Sequence, residues 1–391
     1  MTTHVCTGID VGTHHVKVVI AQLLNDSPLP RIIGTGISES RGLRHGYIIN
    51  SDEVTQSVQQ AVRQAEKKAG ITVKEAFISI GGIGLESIRS KASCSISKGD
   101  DEISEDDLQR VVESCEQQIP SPRTQNRRII HQIPICYRVD NERILGNPLG
   151  MKGLKLEADT LFITAFEPHV NDLVDAIENI DIEVIDVMAS PLAAGLVTLS
   201  KSQKVAGCVL ANIGAETVSI VVFENNVPIS LETFSIGSSD VTNDIALGLK
   251  ISLEEAQRIK HGEKHATSIS QRKLNEIISA RLSDIFELID AHLKKIHRNQ
   301  LLPAGAIITG GGSALPEIAE RAKTSLELPA RVGTIGSSQT SSHEITQATW
   351  AVAYGLTVFG FSSEAKLSHG PYSGIKRAWK LFIRWIKQFL P

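Results

Sequence analysis

Two short stretches of this chain combine residue types that can hold a phosphate. In Gly8-Ile9-Asp10-Val11-Gly12-Thr13 an acid stands two residues before a Gly-Thr turn, and Asn212-Ile213-Gly214-Ala215-Glu216-Thr217 has the same grammar with an amide in the acid's place. Backbone N–H groups at a glycine turn can cradle phosphate oxygens, and a nearby carboxylate such as Asp10 can hold a hydrated Mg²⁺. One such turn is weak evidence, because many hairpins have a glycine tip. A second copy about two hundred residues later changes the odds, since two such tips facing one cleft would clamp a polyphosphate from both sides. His14 and His15 have no spaced partner for a metal and read as turn or surface residues.

Each turn must be carried by a strand on either side. Val5–Val11 and Val16–Val19 flank the first, and Val209–Ile213 and Val218–Phe223 the second, which predicts two β-hairpins. The remaining chain alternates strand and helix. A strand is expected at Arg31–Glu39, a helix from Ser51 to Ala69 closed by Gly70, and a buried strand at Glu75–Gly81. Between about Gly84 and Asp159 the texture becomes more polar around one helix opened by Ser104, which reads as an inserted subdomain. The α/β pattern resumes with a strand at Asp159–Ala165, a helix at Asn171–Ile180, a strand at Glu183–Val187 and a helix at Pro191–Ser200. After the second hairpin come helices at Asp240–Leu249, Ser252–His261 and Ser270–His297, and a strand at Ala304–Gly312. A helix at Leu315–Ser325, a short strand at Ala330–Gly333 and a small-residue helix at Ala348–Phe361 follow.

The totals narrow the function classes. With 391 residues, 41% hydrophobic and 21% charged, the chain has the composition of a soluble globular protein of two or three domains. A net charge of −4 and a pI of about 6.3 argue against a nucleic-acid binder. Five scattered cysteines without a CxxC pair suit a reducing cytoplasm. The N-terminus reads directly into a strand, without signal-peptide grammar, and no apolar run is long enough to span a bilayer.

The last residues carry a different signal. A Ser/Gly-containing linker at 362–374 precedes a basic amphipathic stretch at 375–391. Ile375, Trp379, Phe382, Ile386 and Phe389 share one helical face, widened by Trp385, while Lys376, Lys380, Arg384 and Lys387 point elsewhere. No acid interrupts them. Such a helix lies in the interface of an anionic membrane, each cation near that surface contributing about 1 kcal/mol.

Taken together, these motifs resemble the actin/heat-shock-chaperone/sugar-kinase ATPase superfamily. The two hairpins are similar to its phosphate motifs, and Ile307-Ile308-Thr309-Gly310-Gly311-Gly312-Ser313 to its adenosine motif. Pro191–Gly195 and Ala351–Leu356 are similar to its connecting helices. Within it, the chain most resembles the FtsA family of bacterial cell-division proteins, on Arg41-Gly42 to Gly46-Tyr47, Ile78–Gly82, Asn147-Pro148-Leu149-Gly150 and Glu255–Lys260. The resemblance implies an α/β, actin-like (ribonuclease H-like) two-domain ATPase fold with an inserted subdomain and a C-terminal amphipathic helix. It implies subdomain 1A at 1–83 and 160–200, the insert 1C at 84–159, 2A at 201–239 and 304–345, 2B at 240–303, and a closing helix at 346–361. It further implies ATP or ADP with Mg²⁺: phosphate at Gly12, Thr13, His14, Gly214, Ala215, Glu216 and Thr217; adenosine at Gln257, Lys260, Gly310, Gly311, Gly312 and Ser313; metal at Asp10 through water and weakly at Asn212. The partners implied are the FtsZ C-terminal tail, further copies of the chain in a filament, other division proteins and the inner face of the cell membrane. The FtsZ tail is assigned weakly to Arg281, Lys294, Lys295 and Arg298.

Departures from the family pattern cluster at the chemistry end. Asn212 stands for Asp, removing a charge that would help fix Mg²⁺. Ser190 stands where an acid or Gln often positions water, and Gln257 replaces the Glu of a ribose-contacting pair that keeps Lys260. Glu216 would repel a terminal phosphate unless a metal intervenes or its side chain turns outward. Binding with slow or absent hydrolysis is therefore expected, in a structural adaptor whose enzymatic activity is at most a weak ATPase. The alternatives are a PilM-like assembly scaffold and, in a different class, a small-molecule kinase. The kinase would need a catalytic acid over a substrate hydroxyl.

Overall fold

The computed structural model describes residues 4–23, 29–96, 101–262, 270–335 and 347–362. The amphipathic segment expected at 375–391 lies outside the described residues, as does the linker beyond Ser362.

In the first domain β1 (Val5–Val11), β2 (His15–Gln22) and β3 (Arg31–Glu39) form an antiparallel meander. A small ribbon of β4 (Leu43–Arg44) and β5 (Tyr47–Ile48) leads into α1 (Ser51–Ala69). Asn50 caps α1 by accepting the Glu53 N–H, and Gly70 closes it in the left-handed region at φ 70°. The buried stripe of Val54, Val58, Ala61, Val62 and Ala65 lies on β3. There a Cβ on Gly36 would stand 1.8 Å from the Ala61 carbonyl oxygen, so the close approach requires glycine. β6 (Glu75–Ile80) then joins β1 in parallel.

The insert follows as β7 (Glu86–Ser95), α2 (Glu105–Gln117), β8 (Arg127–Val139), β9 (Glu142–Ile144) and β10 (Lys155–Phe166), its sheet ordered β7-β10-β8-β9. Ser104 and Asp107 form a capping box at the start of α2. Leu108, Val111, Val112 and Cys115 close over Tyr137, Leu156 and Phe162. Here the structure corrects the sequence reading. Asp159–Ala165 is the second half of β10, paired with β7 from Lys155 to Thr164, and not a strand of the first domain's sheet. Its misleading pattern has a physical cause: Leu161, Ile163 and Ala165 enter the first domain's core while Phe162 enters the insert's. Burial on both faces mimics a central α/β strand.

The first domain resumes with α3 (Glu167–Glu178), β11 (Glu183–Ala189) and α4 (Ser190–Thr198). A short α5 (Lys201–Ala206), capped by a Ser200–Gln203 box, leads to the second domain. That domain comprises β12 (Cys208–Ile213), β13 (Val218–Glu224), β14 (Val227–Phe234), α6 (Ser238–Leu249), α7 (Leu253–Lys260), α8 (Gln271–Lys295), β15 (Ala306–Thr309), α9 (Ile318–Leu326) and β16 (Ala330–Val332). The sheets run β3-β2-β1-β6-β11 and β14-β13-β12-β15-β16, one order used twice.

Finally α10 (Ala351–Phe361), almost entirely buried, returns to the first domain beside α4. Gly8 of β1 admits it, since a Cβ there would meet the Ala353 oxygen at 2.3 Å. Gly355 lets α10 touch α4, its own Cβ position lying 1.9 Å from the Ala193 oxygen. The α4–α10 pair therefore sits between the two sheets and joins the halves.

Candidate functional site

The two hairpin tips meet at a cleft of about 450 Å³ lined from both domains. In the first hairpin the Gly12 N–H donates to His15 O at 3.2 Å, and in the second Gly214 N–H donates to Thr217 O at 2.8 Å. The second loop is further clamped by the start of α6, where Ser238 and Ser239 N–H donate to Gly214 O and Ala215 O at 2.9 and 2.8 Å. Of the residues expected at the phosphates, Gly12, Thr13, His14, Gly214, Ala215 and Thr217 line the cleft, as do Asp10 and Asn212.

Glu216 does not. Its carboxylate points across to the first domain and accepts the His45 backbone N–H at 2.5 Å. The outward turn relieves the repulsion that a carboxylate beside a terminal phosphate would cause.

At the other end Gln257, Lys260, Gly310 and Gly311 line the cleft. Gly310, at φ 84°, passes so close to Asn212 that a Cβ would stand 2.6 Å from its Oδ1, while Gly311 faces open space. Gly312 and Ser313 are buried behind this turn, Ser313 Oγ donating to Gly310 O at 2.7 Å. They shape the loop and do not line the cleft. Gln257 accepts from Thr242 Oγ1 at 2.8 Å, and Lys260 Nζ donates to Thr242 Oγ1 at 2.7 Å and Ser238 O at 3.1 Å. Burial brings the Lys260 ammonium down to about 8.

Register exposes a residue that sequence reasoning missed. Asp10 on β1 stands opposite Lys17 on β2, just as Asn212 on β12 stands opposite Ser219 on β13. Both Lys17 and Ser219 line the cleft. Lys17 Nζ donates to Thr349 O at 2.8 Å, tying the hairpin to the short turn that precedes α10. Ser79 Oγ donates to Asp10 Oδ1 at 2.7 Å. Burial raises the Asp10 carboxyl above its ordinary value and lowers the Lys17 ammonium, each opposing part of the other's shift. Period-two counting from the turn would have found Lys17.

Among the described residues lining the cleft, Asp10 is the single acid, and Lys17 and Lys260 approach from opposite domains. His15 and His169 also line it, each held by burial down to about 4 and so neutral near pH 7. This lining suits an anion. It also fits a divalent cation brought by that anion, because Mg²⁺ keeps several waters and needs one or two carboxylates beside phosphate oxygens. No group of three or more His, Cys, Asp or Glu side chains suited to a metal occurs among the described residues, so an all-protein cage is not the arrangement.

The four cations expected to bind an acidic peptide are all matched to carboxylates of the chain. Arg281 forks Asp244 at 2.7 and 3.0 Å, Lys294 meets Asp290 at 2.7 Å, Lys295 lies 3.9 Å from Glu232, and Arg298 meets Glu224 at 2.9 Å. They are spread along and beyond α8 and do not form one patch of unmatched charge.

Two halves built on one sheet order, joined by a helix pair around an anion-favouring cleft, define an actin-like protein. Solved structures agree on the fold. The PilM-PilN type IV pilus biogenesis complex contains a chain that superposes with a TM-score of 0.67 at 16% identity, covering 91% of this chain and 98% of that one. MreB 5 of Spiroplasma citri bound to AMPPNP gives 0.55 at 10%, covering 94% and 99%. The family model "Cell division protein FtsA" matches residues 209–355, and "SHS2 domain inserted in FTSA" matches 82–164. FtsA of Bacillus subtilis (strain 168) is 30% identical over 345 residues, covering 83% of this chain and 77% of the relative. FtsA of Pseudomonas aeruginosa is 27% identical over 379 residues, covering 92% and 89%. The chain belongs to the FtsA family of cell division proteins.

Proposed function

We propose that the cleft binds ATP or ADP with Mg²⁺ and that the protein acts as a nucleotide-dependent, membrane-bound adaptor of the division machinery. The observation that carries the nucleotide reading is the pair of hairpin tips facing one anion-favouring cleft of about 450 Å³. That size lies within the roughly 300–1,000 Å³ of small-ligand sites. Backbone amides at Thr13–His14 and Ala215–Thr217, with Lys17, hold the phosphates, while Gly12 and Gly214 shape the two turns through their N–H bonds to His15 O and Thr217 O. Gln257, Lys260, Gly310 and Gly311 hold the nucleoside, on a loop shaped by Gly312 and Ser313. Asp10 orients the hydrated cation, and Asn212 can add a weak neutral contact. When bound, Mg²⁺ neutralises phosphate charge.

Hydrolysis is slow or absent in this reading, because Asn212 lacks the charge that would help fix Mg²⁺ and Ser190 stands where an acid or Gln often positions water. The same shortage of acids disfavours a kinase. Basic amphipathic residues at 375–391 take the protein to the inner face of an anionic membrane, and the α8 side carries the FtsZ tail. There the tail's acids would exchange with the carboxylates already paired to Arg281, Lys294, Lys295 and Arg298. Filament formation through further copies completes the adaptor.

Calorimetry with ATP and Mg²⁺ tests the cleft. Saturable binding that weakens in Asp10→Asn is expected, and no binding would overturn the nucleotide reading. A pull-down with an FtsZ C-terminal peptide tests the partner, with retention expected.

A further inference from the structure

Glu216 belongs to the loop proposed to hold phosphate, yet its carboxylate is engaged elsewhere. The residue it reaches, His45, is 171 positions away in the other domain. His45 has the left-handed conformation at φ 50° and is followed by Gly46 at φ 84°. Its N–H donates to Glu216 Oε2 at 2.5 Å, its Nδ1 lies 3.5 Å from Glu216 O, and Ser235 Oγ is 3.4 Å from the same nitrogen. The His45 carbonyl in turn accepts the Ile83 N–H at 3.2 Å. Ile83 lies where the chain leaves the first domain for the insert, three residues before β7. Gly46 and Gly82 interlock beside it: a Cβ on Gly46 would lie 2.3 Å from the Gly82 Cα. Farther along, Ser87 of β7 returns to the second domain, its Oγ donating to Leu231 O at 2.7 Å and accepting the Leu231 N–H at 3.0 Å.

These contacts form a closed circuit from loop 214–217 through His45 and Ile83 to Ser87 and back to β14. We infer that Glu216 is a positioning residue. By anchoring on His45 it holds the loop of Gly214, Ala215 and Thr217 in place at the cleft wall and ties that loop's position to the root of the insert. The inference rests in part on the nucleotide reading, but the circuit exists without ligand. Turning Glu216 inward would free the His45 N–H and bring a carboxylate toward phosphate, so the outward position is favoured twice. A loop displaced by an arriving or departing phosphate would pull on His45 and so on Ile83. The insert thereby senses the cleft through two hydrogen bonds on the backbone of one residue, His45.

Three full-length proteins test this: wild type, Glu216→Ala, and Glu216→Gln, whose amide oxygen can still accept the His45 N–H. ATP affinity with Mg²⁺ is measured by calorimetry, and amide hydrogen exchange is followed at Ile83 and along β7 without nucleotide. Glu216→Ala is expected to weaken ATP about tenfold, the scale of one charge-assisted hydrogen bond. It is also expected to speed exchange at Ile83 and Ile88 while the core of α8 stays protected, with Glu216→Gln restoring both. Tighter ATP binding by Glu216→Ala would mean that the carboxylate faces phosphate and would overturn the assignment. Unchanged exchange at the insert root would overturn the link to the insert. If wild type binds no ATP, the nucleotide reading fails, and the exchange comparison alone decides the circuit.

Discussion

Asp10 and Lys17 face each other across the first hairpin, both desolvated, with Ser79 on the acid and the Thr349 carbonyl on the base. Lys17 lines the cleft at the end proposed to hold phosphate. Lys17→Met, which keeps the stem and removes the charge, is expected to weaken ATP about ten- to a hundredfold by calorimetry. A second residue sets an acid limit. His131 on β8 accepts the Ala189 N–H of β11 through Nε2 at 3.1 Å, and burial brings its pKa down to about 3. Below the ordinary value of 6.5 the unfolded chain takes up a proton that the folded chain refuses. The stability from neutral His131 is therefore full above 6.5 and is lost as pH falls toward 3. Asp186, raised by burial to about 6, slopes the other way between 3.8 and 6. Urea unfolding from pH 7 to 4 is expected to show a flatter profile for His131→Gln, which isolates the histidine from Asp186.

Among the elements, the α4–α10 pair carries the heaviest structural demand, because both helices lie between the sheets and meet at backbone distance. Gly355→Ala places a methyl against the Ala193 carbonyl and is expected to destabilise the fold by about 1–3 kcal/mol, read as a lower denaturant midpoint. Most elements were legible from local signals. α1 announces itself through Asn50, its apolar stripe and Gly70, and both hairpins through turn grammar. The failures were of another kind. The short α5 lacks a strong period of its own, the alternation of Val227, Ile229 and Leu231 in β14 is interrupted by Pro228, and β10 reads as a domain strand because it serves two cores. Cleft residues on the hairpin tips and at Gly310–Gly311 were legible because their backbone geometry is local. The direction of Glu216 was not, since it depends on a peptide 171 residues away. Nor were the acids matched to Arg281 and Arg298, which come from α6 and β13.

For the whole molecule, the described core closes at α10, and no helix among the described residues is long and apolar enough to cross a membrane. In the proposed reading, vesicle attachment comes from the basic amphipathic residues at 375–391. Deleting 375–391 is expected to leave the unfolding midpoint unchanged and to abolish flotation with anionic liposomes. Retained flotation would move the membrane contact to the body of the protein.

One consequence of the doubled sheet order concerns direction. A guest entering between two equivalent halves could in principle lie either way round. The matched positions break that equivalence, because Asp10 and Lys17 in one half correspond to the uncharged Asn212 and Ser219 in the other. The strand order repeats between the halves, and the charges at these matched positions do not. On the nucleotide reading, an elongated molecule charged at one end would find its two senses of entry unequal at these positions.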